Sequence, residues 1–339
     1  MDNVDNIETL KIAVVIPCYK VKAHIQGVVA AIGPEVSNIY LVDDCCPEQS
    51  GNHALYHIND PRIKVIKNST NLGVGGAVMR GYQQALLEDA TIIVKIDGDG
   101  QMNPHLISQL IQPILDKTAD YTKGNRFYNL ETLRVMPNIR LFGNAILSFL
   151  TKLSSGYWDI FDPTNGFTAI HAHVASHLPF DKISKRYFFE SDMLFRLNTL
   201  RAVVLDVPMD ASYGHEISNL NVYQIIGEFL FKHTKNFFKR IFYNYYLRNM
   251  SIASIELPIG LGLFLFGTIF GCIEWIHHAK QHVSTPTGTI MLATLPTLMG
   301  LQLILAFMNY DISAIWRDPL HLRMPKKQES KQSDMDTVI

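Results

Sequence analysis

A mostly parallel α/β sheet followed by a membrane hairpin is the fold class this chain predicts, and three observations predict it. Four short apolar runs, at 11–17, 39–42, 62–67 and 91–96, alternate with helix-like segments. The last of them breaks at Asp97-Gly-Asp99-Gly, two carboxylates one residue apart. Two uncharged stretches, Leu257–Ile273 and Thr289–Met308, approach or reach the roughly 20 residues that a bilayer crossing needs.

Each run ends in residues suited to a ligand. The first, Lys11–Pro17, runs into Pro-Cys-Tyr and then a helix to about Ala31; the second ends at Asp43-Asp44. The third, Arg62–Lys67, precedes Asn71-Leu-Gly-Val-Gly-Gly-Ala-Val-Met-Arg-Gly81 and a helix to about Leu87. In wound parallel sheets ligands gather beyond the carboxyl ends of the strands, where Pro17–Tyr19, Asp43–Asp44, Asn71–Gly76 and Asp97–Gln101 all fall. The glycine stretch lacks the lysine and hydroxyl of a phosphate-cradling loop, and Val78 stands where G-x-G-x-x-G requires its third glycine. Two readings stay open for Asn71 and Gly73: backbone donors for a ligand, or close packing alone.

Asp97 and Asp99, at i and i+2 where a strand runs out, can turn the same way and share a hard cation. Mg²⁺ or Mn²⁺ takes few protein carboxylates and completes its shell with water and phosphate oxygens, so a two-carboxylate site suggests a phosphorylated ligand. A calcium loop is excluded by Gln101, Met102 and Ser108 at its third-ligand, glycine and twelfth positions. A plain Asp-Gly turn is the alternative.

The chain has 339 residues, is 47% hydrophobic and carries a net charge of −1, enough for one large domain with an appendage. Residues 229–250 contain no acid and interleave Lys232, Lys235, Lys239, Arg240 and Arg248 with Phe and Tyr. That pattern predicts an amphipathic helix on an anionic membrane surface; the spans that follow it argue against nucleic acid. Trp275, Tyr310 and Trp316 sit near the span ends, as interfacial aromatics do. Glu256, Pro258 and Pro296 keep alive the alternative of two buried core helices. The loop 277–288 carries one lysine, while the basic helix, Arg317, Arg323, Lys326 and Lys327 flank the pair, so both termini and the soluble domain are expected in the cytoplasm. The first ten residues do not resemble a signal peptide, and four cysteines without C-x-x-C spacing suggest reduced thiols. His171, His173 and His177 lack Cys or Glu at metal spacing, so no zinc site is expected; His277, His278 and His282 are read as interfacial. The expected organisation is a catalytic domain at 1–225, a juxtamembrane segment at 226–252, a hairpin at 253–312, and a tail at 313–339, disordered at its end.

Six motifs in order carry a resemblance to a known family: Ile-Pro-Cys-Tyr at 16–19, Val-Asp-Asp at 42–44, Asn-Leu-Gly-Val-Gly-Gly-Ala at 71–77, Asp-Gly-Asp-Gly-Gln at 97–101, Gly-Asn-Arg-Phe at 124–127 and Asp-Pro-Thr-Asn-Gly-Phe at 162–167. Together they resemble the family 2 inverting glycosyltransferases, in the membrane-anchored polyprenyl-phosphate branch similar to dolichyl-phosphate mannose synthase. The resemblance implies a GT-A fold and a nucleotide-diphosphate sugar donor. It implies that Pro17, Tyr19 and Asp44 hold base and ribose with support from Asp43, that Asp97, Asp99 and Gln101 hold Mg²⁺ or Mn²⁺, and that Arg126 meets phosphate. Asp162, Glu190 and Asp192 are the implied acceptor-side acids. Lys20-Val21 replace the family's Asn-Glu. The late Arg-x-x-Gly-x-Ser-Lys loop is reduced to Ser212–Asn219, so Arg134, Arg140 or His215 become candidates for the lipid phosphate, with Lys239 and Arg240 drawing it in.

The expected activity is transfer of a sugar to polyprenyl phosphate at the cytoplasmic face, in a bacterial inner membrane and in a possible homo-oligomer. A hydroxyl acceptor is the enzymatic alternative and would require Asp162 or Asp192 as base. A nucleotidyltransferase would not need a membrane hairpin, and a non-catalytic nucleotide-sugar scaffold would not need both Asp97 and Asp99.

Overall fold

The computed structural model describes residues 10–128, 138–209 and 222–325, with the backbone alone at 138–140 and 222–225. The chain divides into two compact units. One comprises residues 1–141, 161–217 and 316–339, and the other 142–160 and 218–315. The sequence-derived boundaries do not follow this division, because 142–160 joins the helical unit and the segment after the second span returns to the first.

The four expected strands form β1 (Ile12–Cys18), β2 (Val36–Asp43), β3 (Ile63–Lys67) and β4 (Ile92–Lys95), all parallel. Between them run α1 (Ile25–Ala30), α2 (Ser50–His57) and α3 (Val74–Leu87). After α4 (Ile107–Leu115) come β5 (Tyr121–Asn125), α5 (Asn138–Ser155), β6 (Thr168–His171), α6 (Ala172–Ala175), α7 (Phe189–Leu200) and β7 (Val204–Pro208). The sheet order is β3-β2-β1-β4-β6-β5-β7, and β6 alone runs antiparallel to its neighbours. Central strands covered on both faces read as continuous apolar runs, which is why β1 shows no alternation. Val14, Ile16, Ile39, Leu41 and Val94 build the core with Ile107, Leu110, Ile111 and Ile114, a spacing that places one face of α4 on the sheet.

Register sets one consequence for the site. Lys95 on β4 lies opposite Thr168 on β6, Thr168 opposite Lys123 on β5, and Lys123 opposite Asp206 on β7. Directly opposed residues share a sheet face, so four polar side chains form one row across four strands.

The segment after the second span is tied into this unit. Asp120, fully buried, accepts hydrogen bonds from the Val203, Leu320 and His321 backbone N–H groups at 2.7, 2.7 and 2.9 Å, and lies 2.7 Å from His321 Nδ1. Burial works to raise its pKa, but these bonds outweigh it and hold the carboxyl below its usual range. His321 stacks on His171, and the Arg201 guanidinium lies over Trp316.

The second unit contains the end of α5, α8 (Val222–Phe242), a π-helical turn (Tyr243–Arg248), α9 (Ile252–Lys280) and α10 (Thr287–Ser313). Two of these helices are inverted relative to a water-soluble protein. On α5 the buried residues are Ser148, Thr151, Ser154 and Ser155 while Phe142, Ile146 and Phe149 are exposed; on α8, His233, Asn236 and Arg240 are buried while Leu230, Phe231, Phe238 and Phe242 face out. An outward apolar face on this scale is what a lipid surface covers. The hairpin α9–α10 closes on small residues: a methyl at Gly267 would overlap Thr297, and one at Gly300 would overlap the backbone of Phe264. Only 11% of each apolar window is buried, so the alternative of core helices fails; both are long and apolar enough to cross a bilayer.

Arg240 does not do what the sequence suggested. It is 1% exposed, its Nη1 and Nη2 donate to Asp311 Oδ1 and Oδ2 at 2.6 and 3.0 Å, and Nε and Nη2 reach the Leu153 carbonyl. Tyr245 Oη and Trp158 Nε1 complete the Asp311 shell at 2.6 and 3.0 Å. A guanidinium enclosed in that way joins α8 to α10 and cannot present itself to a lipid phosphate. Lys239 beside it is half-buried.

Candidate active site

The acid pair follows β4 at the carboxyl end of the sheet. Val21 packs under Gly98, its Cγ2 3.1 Å from where a methyl would stand, so Val21 in place of the family's acid serves as a wedge beneath the turn. Asp99 Oδ1 accepts from the Gln101 N–H at 3.0 Å, an Asx turn that orients the carboxylate. Asp97, with 28% of its side chain exposed, lies 2.9 Å by Oδ1 from Lys95 Nζ. Two carboxylates and one amide are hard oxygen donors, and among the described residues no group of three or more acids, histidines or cysteines is placed so that it could hold a metal ion. That donor set fits Mg²⁺ or Mn²⁺ with water and substrate oxygens completing the shell, and does not fit a closed structural site.

Tyr19 is exposed after β1, with Lys20 Nζ 5.7 Å from its ring centroid. Lys20 has a left-handed backbone, φ 58°, and its N–H donates to Cys46 Sγ at 3.1 Å. Asp43 accepts from the Cys46 and Gly51 N–H groups at 2.8 and 3.0 Å and so shapes the turn into α2.

Asp44, expected at the ribose, is held by three donors of the chain itself. Buried, it accepts from the Leu72 and Gly73 N–H groups, both at 2.8 Å, and from Asn68 Nδ2 at 2.9 Å. Asn71 remains exposed and donates to the Asp44 carbonyl at 3.3 Å. The glycine stretch itself resolves towards packing: Gly73, at φ +82°, would place a methyl 2.6 Å from the Lys185 carbonyl, and Gly75 one 2.5 Å from that of Ser184. Gly73, with its N–H on Asp44 and its other face against Lys185, fits the packing reading, docking the 184–186 loop.

The acceptor-side acids are also occupied. Asp162, fully buried, takes the Arg126 fork, Nε to Oδ2 at 2.7 Å and Nη2 to Oδ1 at 3.0 Å. Arg126, expected at a phosphate, and Asp162, expected on the acceptor side, therefore lie together as a forked ion pair. Asp192 is buried and accepts from the Ser184 N–H at 2.8 Å, which ties the loop before α7 to that helix's first turn. Glu190 alone of the three reaches the metal motif, through Lys95, with Oε1 3.1 Å from Nζ. Arg134, His215 and the Arg140 side chain lie outside the described residues.

Residues of the polar row complete the site floor, and sequence reasoning missed them. Lys123 is fully buried and donates to the Asn165 carbonyl; burial pushes its pKa down, to about 8. Burial would discharge Lys95 too, but Asp97 and Glu190 more than offset it and hold the ammonium above its ordinary pKa. Asp206 accepts from Asn125 Nδ2 and the Phe161 N–H, at 2.8 and 3.0 Å, while its Oδ1 is buried with no hydrogen-bond partner. Burial pushes Asp206 up, to about 6. In the sequence Lys95 lies inside the fourth apolar run and Lys123 just before the Gly-Asn-Arg-Phe motif, and neither position marks it as buried.

Two predictions arise here. A methyl at Gly166 would overlap both Asp97 Oδ2 and Lys95 Nζ, so Gly166→Ala is expected to lower kcat about tenfold or more with a modest change in melting temperature; a one-ångström misplacement can cost about 10²-fold. An alanine variant with wild-type turnover would show that the ion pair has room to move. For Asp206 the raised folded pKa means that the native state binds its proton more tightly than the unfolded chain between the ordinary carboxyl value and about 6. Stability therefore falls as pH rises through that window. Thermal melts from pH 4 to 8 should show wild type losing about 2 kcal/mol relative to Asp206→Asn, with no further divergence above pH 7; parallel profiles would contradict this.

The fold and site define a GT-A-type α/β transferase. The chain belongs to glycosyl transferase family 2: the family's model matches residues 13–178. It is 30% identical over 216 residues to the UDP-N-acetylglucosamine–dolichyl-phosphate N-acetylglucosaminyltransferase of Methanococcus voltae, covering 60% of this chain and 86% of the relative. It is 27% identical over 208 residues to the undecaprenyl-phosphate mannosyltransferase of Micrococcus luteus, covering 59% and 83%. These likenesses support the polyprenyl-phosphate branch. Glucosyl-3-phosphoglycerate synthase from Mycobacterium tuberculosis, solved with Mn²⁺, uridine diphosphate and phosphoglyceric acid, shares the fold with a TM-score of 0.52 at 17% identity, covering 68% of this chain and 78% of that one.

Proposed function

We propose that this glycosyltransferase moves a sugar, with inversion, from a nucleotide-diphosphate donor to a polyprenyl phosphate at the cytoplasmic membrane face, using Mg²⁺ or Mn²⁺. The observation that carries the choice of acceptor is the state of the acids. A sugar hydroxyl needs a carboxylate base. The two expected bases are held, Asp162 by Arg126 and Asp192 by the Ser184 N–H. A phosphate monoester, with a second pKa of about 6, arrives largely as a dianion and attacks without one. The named relatives act on dolichyl and undecaprenyl phosphates, and the two bilayer-length helices suit a lipid acceptor.

An acceptor phosphate oxygen attacks the anomeric carbon while the bond from that carbon to the diphosphate oxygen breaks in line. A divalent cation, when bound, supplies charge neutralisation for the leaving diphosphate. Asp97, Asp99 and Gln101 are the residues to hold it, Tyr19 and Pro17 border the base side, and Asp162 fixes Arg126 at the rim. Two spans would return the chain to the face it left, and the basic flanks support a cytoplasmic assignment for that face.

The test is detergent-purified protein with Mn²⁺ or Mg²⁺, undecaprenyl phosphate and a panel of UDP-, GDP- and dTDP-sugars, read by mass spectrometry. Glycosylated lipid phosphate with release of nucleoside diphosphate is the expected product. Donor binding without any lipid product from the panel would overturn the phosphate acceptor.

A further inference from the structure

We infer that Lys95 is a positioning residue that couples Asp97, on the donor side, to Glu190 on α7, so that a cation arriving at Asp97 is felt at Glu190. The inference rests on the reading above only in taking Asp97 to face the donor's diphosphate. Lys95 closes β4 and is 1% exposed, with Nζ 2.9 Å from Asp97 Oδ1 and 3.1 Å from Glu190 Oε1. The two carboxylates are 93 positions apart in sequence (190 − 97) and share one ammonium. Gly166 lies against the pair, and a methyl there would overlap both Lys95 Nζ and Asp97 Oδ2, so that side of the slot is filled.

The charges decide how such a bridge behaves. One buried ammonium between two carboxylates leaves one negative charge over, which a divalent cation at Asp97 can use. The same ammonium competes with that cation for Asp97. Lysine presents rotatable donors on a compact charge and can shift its hydrogen bonds from one carboxylate to the other, which a planar guanidinium could not do in so small a slot. As the cation takes Asp97, Lys95 falls to Glu190 and holds that side chain in one place at the start of α7. The coupling is reciprocal: whatever fixes Lys95 on Glu190 strengthens cation binding at Asp97.

Opposite shifts follow for two substitutions. Lys95→Met removes the competitor, so Mn²⁺ should bind about tenfold more tightly; Glu190→Gln leaves the ammonium to Asp97 alone, so Mn²⁺ should bind about tenfold more weakly. A merely structural role would weaken binding in both. The experiment titrates Mn²⁺ into full-length wild type, Lys95→Met, Glu190→Gln and the double variant, in detergent with UDP or GDP, following free Mn²⁺ by electron paramagnetic resonance. Turnover of Lys95→Met at saturating donor should fall at least tenfold despite its tighter Mn²⁺ binding. If Lys95→Met does not fold, Glu190→Gln and the charge-balanced double variant read the same coupling, the double lying nearer to wild type. Weakening in both single variants, no shift in either, or no Mn²⁺ binding by any protein overturns the inference. Opposite shifts in a protein that makes no glycosylated polyprenyl phosphate would retain the coupling and remove only the acceptor reading. Product formation with like-signed shifts would do the reverse.

Discussion

Arg240→Met is expected to cost about 3–5 kcal/mol of stability, the largest loss from any single change considered for this chain. Removing the guanidinium leaves the Asp311 carboxylate, 6% exposed, with only the Tyr245 hydroxyl and the Trp158 indole to stabilise its charge. It also strips the Leu153 carbonyl of its donor. Arg240→Lys should recover only part of the loss, because one ammonium cannot span both carboxylate oxygens and that carbonyl. Replacing both partners, as in Arg240→Met with Asp311→Leu, should be far milder than either single change, since a buried ion pair exchanged for apolar side chains is often close to neutral. Thermal unfolding in detergent, followed by circular dichroism, measures all four proteins. Equal melting temperatures for Arg240→Met and wild type would mean that the pair opens to water in the folded protein.

That pair also shows where the sequence ran out. Strands β1–β4 were legible because each is an apolar run stopped by polar residues, and the acid turn because Asp97 and Asp99 stand where such a run ends. The spans were legible because a bilayer imposes a length. What local patterns do not carry is partnership. Arg240 meets Asp311 across 71 residues and Arg126 meets Asp162 across 36, so charged side chains that read as ligand contacts turned out to hold one another. Lys95 and Lys123 were invisible for a related reason: a lysine beside an apolar run or a motif reads as solvent-facing, and only the register with Thr168 and Asp206 reveals the buried row. The glycine stretch shows the same limit. Its two readings were separable only once the 184–186 loop lay against Gly73 and Gly75.

Those internal pairings sharpen what remains for the donor. Asp43, Asp44, Asp162 and Asp192 are held by backbone N–H groups, Asn68 or Arg126, whereas Asp97 and Asp99 stand one residue apart on the turn that follows β4. Asp99→Asn is therefore expected to lower turnover about 10²–10³-fold, the scale of losing one preorganised charge-stabilising group. The substitution is gentle on the fold, because an asparagine oxygen can still accept from the Gln101 N–H and keep the turn. Three readouts follow. The melting temperature without metal should match wild type, the rise in melting temperature on adding Mn²⁺ with nucleoside diphosphate should vanish, and chelation by EDTA should bring wild type down to the variant's rate. A variant that keeps full activity and the same Mn²⁺ requirement would place the cation elsewhere. A variant that loses activity together with metal-free stability would make Asp99 a turn residue alone, because carboxylate charge matters to a cation and hydrogen-bonding shape matters to a turn.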